Sequence, residues 1–93
     1  MKSLGSIIES LRADGPERDR SLLAGVAAEW KSAAGEGLAA LTEPRKVAGG
    51  VLTVRADHPG AVLELRIRET EILSLLNAAL GRVVLRRIMV AGS

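Results

Sequence analysis

One histidine stands in this chain of 93 residues, and there is no cysteine and no tyrosine. That narrows the available chemistry at once. His58 lies between Asp57 and Pro59. As a general base it would need a nucleophile or a second acid beside it. As a metal ligand it would need companions at ligand spacing. Neither is visible, so His58 reads as structural, and no residue is assigned as catalytic or metal-binding. The carboxylates Glu64, Glu69 and Glu71 share one stretch with Arg66 and Arg68. Glu64 and Arg68 stand four apart in the favourable order, which predicts a solvated ion pair. No P-loop and no dinucleotide-binding glycine pattern is present. The expectation is a protein that is not an enzyme and carries no cofactor.

The basic residues point to binding instead. The net charge is only +2, but residues 1–44 hold five basic and seven acidic side chains, while residues 45–93 hold eight basic and four acidic. A basic half suits a polyanion or an acidic protein surface. The candidate nucleic-acid contacts are Arg45, Lys46, Arg55, Arg82, Arg86 and Arg87. No aromatic residue lies among them, so the base stacking used by most sequence-tolerant single-strand binders is missing. Phosphate contact remains, and it predicts weak, salt-sensitive binding.

The elements that must position these residues follow from periodicity. Leu4, Ile7, Ile8 and Leu11 fall on one helical face, and Asp14-Gly15-Pro16 breaks that pattern. Residues 1–16 are therefore read as an N-terminal helix and linker, and 17–93 as the main domain. A second helix is expected from about Glu17 to Ala34. Its stripe is Leu22, Leu23, Val26, Ala27, Trp30, Ala33 and Ala34. Gly25 inside it calls for a close contact, and Trp30, the one aromatic residue, is the core anchor. Gly37 to Leu41 either adds a short turn or enters a strand.

Arg45–Ala48 and Val51–Ala56 flank Gly49-Gly50, the pattern of a two-residue hairpin. Ala48 should pair with Val51 and Val47 with Leu52. Alternation then sets Val47, Leu52, Val54 and Ala56 against the core, with Lys46, Thr53 and Arg55 on the open face. The longest helical pattern runs without interruption over Ala61–Gly81, with Asp57 as the expected N-cap. Ala61, Val62, Leu65, Ile72, Leu76, Ala79 and Leu80 form its core face. Leu63 and Ile67 point nearly opposite, with Leu75 to one flank. These three are the candidate partner-binding residues, unless the Leu4–Leu11 helix covers them. A last strand is expected over Arg82–Val90, its alternation slipping at Arg86-Arg87. The result is an α+β domain of αββαβ type, a three-stranded sheet with helices on one face and an extra N-terminal helix.

Three blocks of residues match the pattern of a known family. Trp30, Gly35, Leu38-Ala39, Thr42 and Pro44 make the first. Val47, Gly50-Val51-Leu52-Thr53-Val54, Asp57 and Glu64-Leu65 make the second. Ile72-Leu73, Leu76-Asn77, Leu80-Gly81, Leu85, Ile88 and Val90 make the third. Over Val26 to Val90 the chain resembles the KH-like domain of DciA, the bacterial replicative-helicase loader. The resemblance implies a KH-like fold, a DnaB-type helicase as partner, and contact with single-stranded or forked DNA. No two glycines are spaced Gly-x-x-Gly, so the phosphate-clamping loop of true KH domains is absent. The alternatives are a stand-alone RNA or DNA binder, or a homodimer formed through the Leu63/Ile67 face. The lack of cysteine fits a reducing, cytoplasmic setting. No stretch is apolar enough for a membrane span.

Overall fold

The computed structural model describes residues 15–92. The expected helix over Leu4–Leu11 lies outside them. The described elements are α1 (Gly15–Ala34), α2 (Glu36–Ala40), β1 (Thr42–Ala48), β2 (Val51–Ala56), α3 (Pro59–Ile67), α4 (Glu69–Leu80) and β3 (Arg87–Ala91). The sheet order is β1-β2-β3, with β1 antiparallel and β3 parallel to β2. The parallel pair is joined by the α3–α4 crossover, as a parallel connection requires. This is the expected α+β arrangement, a three-stranded mixed sheet with helices against one face, compatible with a KH-like fold.

The hairpin follows the sequence closely. Ala48 pairs with Val51 and Val47 with Leu52. Gly49 and Gly50 take φ of 59° and 82°, the left-handed values that a primed turn needs. Val47, Leu52, Val54 and Ala56 are buried. β1 starts earlier than expected, at Thr42, and carries Pro44. An edge strand tolerates the missing N–H of proline. The register then shifts between Pro44 and Lys46, so Arg45 is the bulged residue.

Trp30 anchors the core as expected, at 4% exposure. Its indole N–H donates to Thr42 Oγ1 at 2.9 Å, and that hydroxyl donates to Leu38 O at 2.8 Å. One buried polar handle thus ties α1 to α2 and to the start of β1. Gly25 answers to packing. A Cβ there would lie 2.7 Å from Leu80 Cδ2, so the glycine lets α4 lie close against α1. Two residues of the expected core faces, Ala27 and Ala79, are exposed instead.

Three local expectations fail. The long helix is not continuous. It divides at Arg68, whose φ of −97° and ψ of 12° make it the C-cap of α3 and the N-cap of α4. No Pro or Gly occurs between Gly60 and Gly81, so nothing in the pattern marks the break. Secondly, the N-cap of α3 is His58 and not Asp57. His58 Nδ1 accepts the Gly60 N–H at 3.1 Å, while Asp57 pairs with Arg55 at 2.9 Å. Thirdly, the last strand begins at Arg87, not at Arg82. The Val84 and Leu85 N–H groups donate to Asn77 Oδ1, and those of Arg86 and Arg87 donate to Gly50 O. The Val84, Leu85 and Arg86 donors are spent before the strand begins, and the Arg87 bond to Gly50 O is the first rung of its ladder to β2.

Arg68 joins three helices. Its Nη1 donates to Ala34 O at 2.8 Å and its Nη2 to Ala33 O at 3.4 Å, which satisfies carbonyls at the end of α1. It also pairs with Glu71 at 3.0 Å and Glu64 at 3.2 Å. The Glu71 hydrogen bond pushes the Arg68 pKa up, partial burial opposes this, and Glu64 adds to the rise. Replacing Arg68 with Met keeps the apolar stem and removes the guanidinium. Urea unfolding should show a loss of about 2 kcal/mol, the scale of a charged hydrogen bond left unmade. Lysine should not restore it, because it lacks the planar fork.

Candidate partner and nucleic-acid interfaces

The first surface is a ridge on α3. Ala61 and Leu65 turn inward and are buried. Leu63 and Ile67 occupy the opposite side and are 59% and 73% exposed. They stand four apart, so their side chains are neighbours along the helix. Glu64 and Arg66 flank them and are exposed. An isolated exposed leucine is ordinary, and two large exposed aliphatic residues side by side on one helix are less so. Leu75 is 44% exposed, but it belongs to α4, beyond the break. The ridge therefore consists of Leu63 and Ile67, and Leu75 stands on a separate helix.

The second surface is basic. All six candidate residues are exposed, but the fold does not gather them into one patch. Lys46 pairs with Thr53 and Thr53 with Met89, which makes one row across the open face of the sheet. Arg87 pairs with Val51 on the same face, one row nearer the hairpin turn. Arg55 is on this face too, at the far end, where Asp57 holds it. Arg45 is the bulged residue of β1 and pairs with Glu43 at 3.0 Å. Arg86 precedes β3 and bends back over the turn, donating from Nη2 to Gly49 O at 3.3 Å. Arg82 follows the left-handed Gly81 that ends α4, and lines a hollow with Ser74, Asn77 and Val83. Since β3 starts at Arg87, Arg82 and Arg86 are not strand residues.

His58 sits on the rim of two shallow hollows, of about 450 and 540 Å³, that share Leu41 with it. Its Nδ1 accepts the Gly60 N–H, so the ring serves the start of α3 as a cap. Among the described residues, no three His, Asp or Glu side chains gather as a metal site. No described helix is long and apolar enough to cross a membrane.

Three positioning residues escape sequence reasoning. Periodicity gives Arg68 only Glu64 as a partner, because the α1 carbonyls it reaches lie 34 and 35 positions upstream. Glu69 Oε2 accepts the Ile88 N–H at 2.8 Å and so fastens α4 to β3. Asn77 fastens α4 to the segment before β3, accepting from Val84 and Leu85 and donating to Leu85 O. An amide inside an apolar helical stripe is the one available signal for the last of these.

The described residues form a small α+β domain with a mixed three-stranded sheet and helices on one face, compatible with a KH-like fold. Comparison with known families gives the particular one. The family model described as Dna[CI] antecedent, DciA, matches residues 3–90, and the chain belongs to the DciA family. It is also 31% identical over 67 residues to a UPF0232 protein of Rhodococcus jostii (strain RHA1), an alignment covering 72% of this chain and 36% of the relative. The chain thus spans about a third of the length of that relative. DciA is a family of helicase loaders and adaptors and not a known enzyme class.

If the ridge has no role in folding, replacing Leu63 and Ile67 with Glu should shift the unfolding free energy by no more than about 0.5 kcal/mol each, as for ordinary surface sites. Thermal and urea melts check this. A loss of several kcal/mol would mean that the ridge is buried against another part of the chain.

Proposed function

We propose that this domain is a non-enzymatic replication adaptor of the cytoplasm. It binds a DnaB-type replicative helicase and assists its placement on DNA, with a weak contact to single-stranded or forked DNA of its own. The observation that carries this reading is the family match over residues 3–90. The exposed pair Leu63 and Ile67 adds a surface suited to a protein partner, since interface centres are built on large apolar side chains ringed by polar ones. Exposed basic side chains of the C-terminal half serve the phosphates. Homodimer formation through the same ridge is the competing reading, because an exposed aliphatic pair suits a second copy as well as a helicase.

Co-purification with the organism's own replicative helicase tests the reading. The parent domain should be retained, and Leu63→Glu with Ile67→Glu should lower retention at least tenfold, the effect of losing about 1.4 kcal/mol or more of binding. No retention of the parent would refute the helicase contact. Sedimentation at two concentrations decides the competing reading, which requires a dimer that the same double variant abolishes.

A further inference from the structure

The ion pairs among the described residues gather at one end, although Arg66 on α3, like Arg20 and Lys46, has no carboxylate partner among them. The ion pairs among the described residues are Lys31–Glu36, Arg45–Glu43, Arg55–Asp57 and Arg68 with Glu64 and Glu71. They lie toward the end of the molecule where α1 finishes, β1 begins and β2 leads into α3. The opposite end surrounds the Gly49-Gly50 turn. Arg82, Arg86 and Arg87 are there, and none has a carboxylate partner among the described residues. Arg18 joins them from α1. A hollow of about 390 Å³ has Arg18 and Arg86 on its walls and the turn glycines between them. Asp19 is the one carboxylate on its lining.

The pole is also built. The Arg86 N–H donates to Gly50 O at 2.7 Å and its guanidinium to Gly49 O at 3.3 Å, so the side chain is held over the turn. A Cβ on Gly50 would come within 3.0 Å of Arg86 Nε, so the turn's second glycine is what admits the guanidinium. Arg87 is set beside Val51 at the first rung of β3. Arg82 lines the adjoining hollow, which shares Val83 with this one. Arg18 lies near the start of α1, where the helix dipole disfavours a cation by a few tenths of a kcal/mol or more. Helix stability therefore does not account for it.

We infer that this pole, formed by Arg18, Arg86 and Arg87 with Arg82 beside them, holds the phosphates of a nucleic-acid strand, and that Arg45 and Arg55 take no part. Guanidinium forks match phosphate oxygens, and the pole offers no aromatic face to read a base. Arg45 and Arg55 already have carboxylates that a phosphate would have to displace. The pole and the α3 ridge sit toward opposite ends of β2. A strand of six residues separates those ends by roughly 17 Å, enough for a nucleic acid and a protein to be held together. The inference rests on the DNA contact in the proposed function and assigns it a place and a chemistry.

Fluorescence anisotropy with labelled oligothymidine and oligouridine, over a salt series, tests it. Arg86→Ala with Arg87→Ala should weaken binding, and the logarithmic salt slope should fall by about 0.7 for each phosphate no longer neutralised. Arg18→Ala alone should lower the slope by one such step. Arg45→Ala with Arg55→Ala should leave both affinity and slope unchanged. Circular dichroism checks folding, and Arg18→Ala and Arg87→Ala, which touch no turn carbonyl through their side chains, decide the matter if the Arg86 variant unfolds. Comparable binding of the two oligomers supports phosphate recognition. A strong preference for one sugar overturns it, because that requires interactions the pole does not supply. Equal losses from the Arg45/Arg55 pair, or no loss from the pole, overturn the assignment while leaving DNA binding in place. Absence of binding by the parent removes both the inference and the DNA contact, but not the helicase contact.

Discussion

The guanidinium of Arg68 is the constraint on which the crossover depends. It reaches the last carbonyls of α1 and two carboxylates on either side of a helix break. A straight helix from Pro59 to Leu80 would have no residue of intermediate backbone conformation at this point. The break lets α3 and α4 take separate directions. α3 lies over the ends of β2 and β3, and α4 packs against α1 through the Gly25–Leu80 approach. At the start of α4, Glu69 then meets the Ile88 N–H. One charged side chain thus bridges α1, α3 and α4 at the break.

The sheet shows what local pattern can reach. The turn, its register and the buried face of β2 follow from two glycines and a period of two, because neighbouring strands joined by a tight turn have little freedom. The core anchor is legible for a similar reason: a lone tryptophan in an apolar stripe has few other places to go. The misses fall where a side chain or another element claims a backbone group or a competing cap, from two residues away in one case and from further off in others. His58 displaces Asp57 as cap because Arg55 claims Asp57. β3 starts late because Asn77 takes the Val84 and Leu85 N–H groups and the Arg86 N–H turns to Gly50 O. The break at Arg68 has no proline or glycine to mark it, and the carbonyls its side chain meets there belong to another helix.

The candidate surfaces are legible to different degrees. A helix period places Leu63 and Ile67 opposite Ala61 and Leu65, and the fold keeps that opposition because all four lie within α3. Leu75 joins them only along a helix that does not run on. For the basic residues, composition reveals the excess and alternation assigns a face. Glu43 and Asp57 stand two residues from Arg45 and Arg55, where alternation allows a pair but does not show that it forms. Those pairs separate Arg45 and Arg55 from Arg86 and Arg87.

The outer sides of the sheet also have a consequence. β1 carries a proline and a bulge, and on β3 the outward Ile88 N–H is occupied by Glu69. Open strand edges invite pairing between chains, and both edges here are interrupted. A domain closed in this way can be crowded against copies of itself, at high local concentration, without its sheets zippering together. Any assembly it joins must then be held by side chains on its faces and poles, where single substitutions can tune it, and not by backbone pairing that no side chain could readily undo.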